Sequence, residues 1–309
     1  MFTDQKAALT KNYQDGLGIT LRILSGFLFA LMVVMVKMVS QDVPLGEIVF
    51  FRSFFALIPL VIFLFACNEF PTGLRTKRPL RHFFRSIFGV TAMFASFAAI
   101  ARLPVAEATL ISYLSPVLTA ITGVIFLGER ATVFRAGGIA FGLAGVVILI
   151  SPELDSPELN VARFTGLLLG VVAAVFTSLA LIFTRSLARG SESPGAIAFY
   201  FSLTSTLSGF LTLPGGWVIP EPQTLLFLIL AGFLGGFAHI AMTLAFKYAE
   251  ASRLAPFEYT ALIWALLADF VIFDLKLSTT FILAAPMVLL GVTLASVETR
   301  LKPNHSTSE

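Results

Sequence analysis

One half of this chain repeats in the other half at a fixed spacing of 146 residues. The shift pairs Gly89 with Gly235 and Tyr113 with Tyr259, and it needs no gap from Gly89 to Val146. Each half contains enough apolar sequence for about five membrane-spanning helices. Because five is odd, the second copy must enter the membrane from the opposite side. Inverted copies of this kind form the architecture of many secondary transporters.

The composition also indicates a membrane protein. Of the 309 residues, 57% are hydrophobic and only 13% are charged, and the mean hydropathy is +0.90. Soluble domains carry roughly 45–50% apolar and about 25% charged residues. The apolar residues also come in long uncharged runs, such as Phe164 to Thr184. We therefore expect a polytopic chain without a separate soluble domain.

Proline-containing links divide the apolar sequence into ten predicted helices. These are Leu17–Val39, Leu45–Ala66, Arg81–Arg102, Val105–Leu127, Thr132–Ile150, Arg163–Ala188, Pro194–Leu213, Gln223–Phe246, Ala251–Phe273 and Ser278–Val297. The sequence thus predicts an all-α membrane protein, with ten transmembrane helices in two inverted five-helix repeats around a central cavity. We expect residues 1–152 to form the first repeat and residues 153–309 the second.

Lysine and arginine collect on the cytoplasmic loops of membrane proteins, and this bias orients the chain. With the N-terminus inside, most of the basic residues fall on the inner side. The link that carries Glu153, Asp155 and Glu158 then falls outside. Ten spans return the C-terminus to the inner side, so both termini are predicted to be cytoplasmic.

Several classes of function lack the sequence signals that they need. The net charge of +3 comes from basic residues in membrane-adjacent loops, which form no stripe for nucleic acid. The single cysteine, Cys67, cannot form an intramolecular disulfide. No phosphate-binding glycine loop, zinc-protease helix or nucleophile elbow occurs in the sequence. We therefore expect no enzymatic activity, no cofactor, no metal and no nucleic-acid partner.

Arg52 is the first candidate for a binding residue. It lies about seven residues into the second predicted helix, which is roughly 10 Å along the helix axis. Ionisable groups at membrane depth are costly and usually face a cavity or a partner. Arg52 can therefore bind an anionic substrate group such as a carboxylate. The alternative is a structural pair with Glu47 or with a carbonyl group.

Three titratable residues inside predicted helices are candidates for coupling transport to protons: Glu258, His239 and Asp269. Glu258 follows Pro256 near the start of the ninth helix, where it can instead be a stabilising charge at a helix N-terminus. His239 is the only histidine within a span; it lacks metal-ligand spacing and can instead be a hydrogen-bonded packing residue. Asp269 lies deeper toward the outside and can alternatively reach the interface.

Tyr113 and Tyr259 are repeat mates that can offer a ring and a hydroxyl to a substrate. Trp264 lies one and a half turns beyond Tyr259, and Pro116 follows three residues after Tyr113. A proline inside a membrane helix frees a carbonyl group. The two tyrosines and Trp264 are therefore candidate substrate-binding residues, with simple helix packing as the alternative.

Three stretches of the chain resemble a known family. RLPVAEATLISYLSPVLTAITGVIFLGER, residues 102–130, resembles the fourth helix and exit loop of EamA-type, ten-helix members of the drug/metabolite transporter superfamily. AFKYAEASRLAPFEYTALIWALLADFVIF, residues 245–273, resembles the matching segment of the second half. FFRSFFAL, at residues 50–57, resembles the arginine-bearing second helix. The resemblance extends from about Leu17 to Val297.

The resemblance implies alternating access around a central cavity, both termini in the cytoplasm and a location in the bacterial inner (plasma) membrane. Members of the family move amino acids, nucleotide-like compounds, vitamins and other metabolites. The resemblance also implies that four motif positions face the cavity: Arg52, Tyr113, Glu258 and Tyr259.

The sequence is therefore interpreted as a secondary active transporter of a small polar metabolite, with export favoured over import and protons as the candidate coupling ion. An uncoupled facilitator, or an importer of a metabolite such as riboflavin or S-adenosylmethionine, is the alternative. A membrane-embedded lipid enzyme is a distant third hypothesis. The expected partners are the metabolite and the lipid bilayer. The oligomeric state is expected to be either a monomer or a dimer.

Overall fold

A computed structural model describes residues 2–127, 133–155, 160–188, 192–249 and 251–301. These residues form twelve α-helices and two short 3-10 turns, and the described part of the chain contains no β-strand. The helices are α1 (Phe2–Val39), α2 (Leu45–Ala66), α3 (Pro79–Ile100), α4 (Val105–Ser112), α5 (Leu114–Leu127), α6 (Val133–Asp155), α7 (Val161–Ala188), α8 (Pro194–Phe210), α9 (Pro222–Tyr248), α10 (Ala251–Glu258), α11 (Thr260–Val271) and α12 (Thr279–Leu301). The prediction of an all-α membrane protein with about ten helices is confirmed.

The largest differences from the predicted helices have local causes. The fourth and ninth predicted spans are each divided in two, at Tyr113 and at Tyr259. The first helix begins at Phe2 and not at Leu17, because good helix formers and no proline or glycine precede Gly16. The seventh ends at Phe210, and a 3-10 turn follows it.

Two Ser-Pro pairs let helices continue past a proline. A proline removes the N–H that would bond to the carbonyl four residues earlier. At Pro116 that carbonyl belongs to Ser112, and the Ser115 hydroxyl donates to it at 2.7 Å. At Pro152 the hydroxyl of the preceding serine donates in the same way to the Ile148 carbonyl at 2.9 Å. Because this hydroxyl replaces the missing N–H donor, α6 continues to Asp155, past the predicted end at Ile150.

The described residues group into two compact units. Unit 1 comprises those of Met1–Ser86 and Leu187–Asp274, and unit 2 those of Ile87–Ser186 and Leu275–Glu309. Unit 1 therefore takes α1 and α2 from the first half of the sequence and α8 to α11 from the second. Unit 2 takes most of α3 with α4, α5 and α6 from the first half, and α7 and α12 from the second. The repeat boundary at residue 152 is a division of the sequence, and it stays a prediction.

In unit 1, α9 packs against both α1 and α2, and α8 packs against the other side of α2. Gly236 of α9 lies so close to α2 that an added Cβ would stand 2.4 Å from Pro59 Cγ and 2.9 Å from the Ala56 carbonyl oxygen. Lipid gives helices no hydrophobic reason to associate, so close backbone approach supplies the packing. Small residues on α9 therefore permit this close approach.

In unit 2, α12 packs along α6 and also contacts α4 and α5. An added Cβ on Gly291 of α12 would lie 2.5 Å from the backbone nitrogen of Gly142 and 2.7 Å from the Gly138 carbonyl oxygen. Glycines on both helices therefore allow α6 and α12 to approach closely. On the other side of the unit, Phe88 of α3 contacts the rings of Phe176 and Phe183 on α7.

Seven helical segments among the described residues are long and apolar enough to cross a membrane, judged by length and composition. They are Asp15–Val39, Leu45–Ala66, Pro79–Ile100, Ala136–Glu153, Val161–Leu187, Pro194–Gly215 and Pro222–Tyr248. Shorter apolar segments cover Val105–Thr119 and Thr279–Ala295. Large apolar side chains on these helices point outward, among them Ile62, which is 62% exposed. Such exposure suits contact with lipid and not with water.

Candidate functional site

The two helix breaks fall at repeat-related residues. Tyr113 separates α4 from α5 in unit 2, and Tyr259, 146 residues later, separates α10 from α11 in unit 1. Both tyrosines are half-buried and have backbone angles close to helical, with φ −68° and ψ −8° at Tyr113 and φ −69° and ψ −14° at Tyr259. Each break is therefore a single non-helical residue between two helical segments.

An ion network holds the short helix before the first break. Arg163, at the start of α7, contacts the carboxylate of Glu107 on α4 at 2.9 Å and that of Glu153 on α6 at 2.7 Å. The Ser278 hydroxyl, which precedes α12, also donates to Glu107 at 3.3 Å. Both carboxylates are buried. One guanidinium group thus connects three helices of unit 2 at the end where α4 begins.

The second break has its own ion pairs, and both join α10 to α1. Arg22 contacts the Glu258 carboxylate at 2.9 Å, immediately before Tyr259. One turn closer to the start of α10, Arg253 pairs with Asp15. The predicted coupling candidate Glu258 is therefore ion-paired, and its side chain is 40% exposed.

Beyond the second break, α11 lies against α1. The Trp264 ring meets Phe27 edge to face at a centroid distance of 5.1 Å. The indole N–H of Trp264 is buried and has no hydrogen-bond partner among the described residues. Buried indole N–H groups in proteins usually have a hydrogen-bond partner, so this one is unusual. Asp269, the third coupling candidate, is buried further along α11, with 3% of its surface exposed.

Arg52 of α2 and His239 of α9 are both predicted site residues. Arg52 packs against α9 at Gly235, one turn from His239, because an added Cβ there would lie 3.2 Å from both Nε and Nη2 of Arg52. Arg52 is buried, and its Nε lies 3.4 Å from the Met32 sulfur. His239 also meets Phe29 edge to face at 5.1 Å. Glu47, the alternative partner considered for Arg52, accepts a hydrogen bond from the Val218 backbone N–H at 3.1 Å.

Arg85 of α3 is a cation that the sequence analysis did not identify as a site candidate. Its guanidinium group lies 4.2 Å from the centroid of the Phe201 ring. Arg85 comes six residues after the start of α3, where a basic residue also fits the cytoplasmic bias of lysine and arginine. A signal was present, because the tetrapeptide Phe-Phe-Arg-Ser occurs at residues 50–53 and again at residues 83–86.

A polar network outside the spans connects the loops of unit 1. Burial favours the neutral form of Glu192, but the carboxylate accepts hydrogen bonds from the Thr76 hydroxyl at 2.8 Å, from the Lys77 backbone N–H at 3.2 Å and from His82 Nε2 at 3.2 Å. Together the hydrogen bonds outweigh burial and hold the pKa of Glu192 below its usual value. This network anchors the loop before α8 to the start of α3.

Within the described ranges, no three His, Cys, Asp or Glu side chains come together in a way that could hold a metal ion. The fold defines a polytopic membrane protein with arginine side chains inside its apolar helices.

Comparison with known proteins places this membrane protein in a family. The sequence profile of the EamA-like transporter family matches residues 16–151 and 164–297. The chain therefore belongs to the EamA-like transporter family, and the predicted membership is confirmed.

Relatives and a solved structure agree with this assignment. The chain is 27% identical over 270 residues to the riboflavin transporter of Rhizobium johnstonii, and the match covers 86% of each protein. It is 29% identical over 248 residues to the pseudopaline exporter CntI of Pseudomonas aeruginosa, covering 80% of this chain and 84% of the exporter. A crystal structure with 22% identity superposes with a TM-score of 0.64, over 94% of this chain and 99% of the other. That likeness supports the fold.

Proposed function

We propose that the protein is a secondary active transporter that carries a small polar metabolite across the bacterial inner membrane by alternating access. The observation that carries the proposal is the pair of helix breaks at Tyr113 and Tyr259, at equivalent places in two repeated halves. Interrupted helices at matching positions of two repeats are where secondary transporters hold their substrates. Family membership and relatives that are named as metabolite transporters support the same function.

The buried polar groups supply the roles that such a transporter needs. Arg52 binds an anionic group of the substrate, since a guanidinium group matches the two oxygens of a carboxylate. Three aromatic residues shape the binding site: Tyr113, Tyr259 and Trp264. Glu258 is the first candidate for proton coupling, with His239 and Asp269 as further candidates.

The direction of transport is proposed to be export, with both termini in the cytoplasm. The pseudopaline exporter among the relatives supports export, and the distribution of basic residues supports the orientation. Tags at the two ends of the chain test the orientation in intact cells. Tags exposed on opposite faces of the membrane would refute an even number of spans.

An uncoupled facilitator is the second candidate function. The observation that favours it is the ion pair between Arg22 and Glu258, because this pair gives the first coupling candidate a structural role. The two candidates differ in whether a pH gradient drives accumulation of the substrate.

Counterflow in proteoliposomes tests the transport function. Vesicles loaded with members of a metabolite panel are expected to take up the same labelled compound, and the variant Arg52→Ala is expected to do so more slowly. Collapse of the pH gradient should stop accumulation if transport is proton-coupled and leave it unchanged in a facilitator. Folded, reconstituted protein that exchanges no member of the panel would contradict a metabolite transporter. A normal rate for Arg52→Ala would remove Arg52 from the mechanism.

A further inference from the structure

The loop that precedes α3 is held in place by hydrogen bonds to α8 and to the residues just before α8. The Leu74 carbonyl accepts a hydrogen bond from the Tyr200 hydroxyl at 2.7 Å. The Thr76 hydroxyl and the Lys77 backbone N–H both donate to the Glu192 carboxylate, at 2.8 Å and 3.2 Å. These bonds use a backbone carbonyl, a hydroxyl and a backbone N–H, so they fix the loop without using its basic side chains.

The fixed loop turns two cationic side chains outward. Arg75 and Lys77 flank Thr76, and the backbone at Arg75 is extended, with φ −69° and ψ 115°. Successive side chains of an extended chain point to opposite sides. Because the Thr76 side chain points toward Glu192, its two neighbours point away, and both are exposed. The two cations are therefore positioned before any ligand binds, which lowers the entropy cost of binding.

The carboxylates near this loop are engaged by other donors. The Glu192 side chain is only 7% exposed, and it forms the hydrogen bonds that hold the loop. Glu69, shortly after α2, accepts a hydrogen bond from the Ser193 hydroxyl. The sequence contains no acidic residue from position 70 to position 106. The outward face of the loop is therefore positively charged and complementary to an external anion.

An exposed apolar stripe begins where the loop ends and α3 enters the membrane. Leu80, Phe83 and Phe84 are spaced by three and four residues, so they share one face of the helix. They are 65%, 55% and 38% exposed. Arg81, in the first turn of α3, is exposed as well and adds to the positive charge. Basic groups at the end of a lipid-facing apolar stripe match the two parts of a phospholipid, the phosphate headgroup and the acyl chain.

We propose that Arg75 and Lys77 bind the phosphate group of an anionic phospholipid whose acyl chain lies along Leu80 and Phe83. The Arg75 guanidinium group donates two parallel hydrogen bonds to phosphate oxygens, and Lys77 adds a point charge. A zwitterionic lipid brings its own ammonium group next to these cations, where the nearby carboxylates already have donors. The site therefore selects an anionic headgroup over phosphatidylethanolamine and phosphatidylcholine.

Lipid titration of the purified protein in detergent micelles tests this site. The probes are phosphatidylglycerol, phosphatidylethanolamine and phosphatidylcholine with identical acyl chains. Lipids that bind only the folded state raise the melting temperature by mass action. We expect a saturable rise with phosphatidylglycerol and an apparent affinity at least about tenfold weaker for the two zwitterionic lipids. Equal affinities for the three lipids would overturn the proposal.

Variants assign the response to the loop. Arg75→Gln combined with Lys77→Gln is expected to weaken the apparent affinity for phosphatidylglycerol at least about tenfold, since it removes both cations and keeps the backbone bonds of the loop. Arg102→Gln combined with Lys276→Gln is the matched control, because it removes two other exposed positive charges and should leave the affinity unchanged. If the loop variant does not fold, Arg75→Gln alone replaces it and should still weaken binding. Unchanged affinity in the loop variant, or an equal loss in the control, would overturn the proposal.

Two further measurements separate a lipid from a free phosphate. Glycerol phosphate carries the phosphate group without acyl chains and is expected to leave the melting temperature unchanged at the lipid concentrations used. An equal response to it would assign the two cations to a soluble phosphate and overturn the lipid assignment. Phe83→Ala should weaken phosphatidylglycerol binding, because it removes apolar surface beside the acyl chain. Unchanged affinity in that variant would overturn the proposed acyl-chain contact.

The lipid site does not depend on the proposed transport function, and the two fail in different ways. Selective binding of phosphatidylglycerol without counterflow of any metabolite would refute the transport function and leave the lipid site standing. Counterflow by a protein that binds the three lipids equally would refute the lipid site alone.

Discussion

The breaks at Tyr113 and Tyr259 lie at equivalent positions of the two halves, but different chemistry surrounds them. The first is followed by Pro116, whose missing N–H is replaced by the Ser115 hydroxyl. The second has Leu262 at the corresponding position, and its N–H bonds to the Tyr259 carbonyl three residues back. The helix is thus interrupted at the same position in both halves, but different residues produce the interruption.

The ion pairs beside the breaks also differ, because the acidic and basic residues occupy exchanged positions in the two pairs. A shift of 146 residues takes Glu107 to Arg253. Glu107 pairs with Arg163 near the start of α7, and Arg253 pairs with Asp15 at the start of the apolar span within α1. The acid stands on the short helix in one half and on the long helix in the other. The Arg163 network is largely buried, whereas Arg253 is 48% exposed. The first break is therefore the more firmly held.

Only the second break carries an ionisable residue next to its tyrosine. Glu258 pairs with Arg22 there, whereas the equivalent residue before Tyr113 is Ser112, whose hydroxyl donates to the Thr109 carbonyl. A carboxylate is thus present beside Tyr259 and not beside Tyr113. We therefore expect proton coupling at the second break.

The largest expected effect comes from Glu258→Gln. If Glu258 carries the proton, the neutral amide should abolish accumulation driven by a pH gradient and leave counterflow intact, because exchange needs no net proton movement. The equivalent variant at the first break, Ser112→Ala, should change neither. Gradient-driven uptake in proteoliposomes measures both, and undiminished accumulation by Glu258→Gln would remove the functional difference between the breaks.

The second prediction concerns the stability that the two ion pairs provide. Arg163→Met leaves two buried carboxylates without their cation and should cost about 3 kcal/mol of the free energy of unfolding. Arg253→Met removes a pair that is half in solvent and should cost at most about 1 kcal/mol. Denaturant unfolding in mixed micelles compares the two. Equal losses would show that the buried network does not hold the first break more firmly.

A smaller effect is expected from Pro116→Ala, which restores the missing N–H donor. The α4–α5 break should then become more helical, and amide hydrogen exchange near Tyr113 should slow about fivefold, which corresponds to roughly 1 kcal/mol. Leu262→Met is the matched change at the second break and should leave exchange near Tyr259 unaltered. Hydrogen–deuterium exchange with mass spectrometry reads both regions. Faster exchange in Pro116→Ala would contradict a proline-made break.

The smallest expected effect is the pH dependence of the stability that the Glu192 network provides. The lowered pKa of Glu192 means that its stabilising contribution is present above the usual carboxyl pKa of 4.5 and is lost as the pH falls below it. The difference in melting temperature between wild type and Glu192→Gln should therefore be constant near neutrality and shrink below about pH 4.5. A difference in melting temperature that grows as the pH falls would contradict a lowered pKa of Glu192.

Much of the fold follows from apolar run length and proline positions. The second span is predicted at Leu45–Ala66 and observed there, because Pro44 and the end of the apolar run bound it. The break at Tyr259 was not foreseen, since no proline occupies the position that matches Pro116. The extension of α6 past Pro152 was also missed, because it depends on one serine hydroxyl that replaces a backbone donor.

The candidate site was predictable in part. Arg52 and His239 were selected because buried ionisable groups are costly, and Arg52 packs against α9 at Gly235, one turn from His239. Arg85 was not selected, because a basic residue six positions into a helix also fits the cytoplasmic bias of lysine and arginine. The ion pairing of Glu258 with Arg22 depends on which faces of α1 and α10 meet. Sequence periodicity does not determine that contact. The roles of all these residues stay predictions.

The reversed signs of the ion pairs have a consequence for how the two halves recognise each other. Each pair joins a short helix of one half to the first helix of the other half. Two copies of the first half would bring Glu107 against Asp15, and two copies of the second would bring Arg253 against Arg163. Like charges at both contacts would oppose either homodimer. The halves are therefore complementary parts, and coexpressed as separate polypeptides they should assemble with each other and not with themselves.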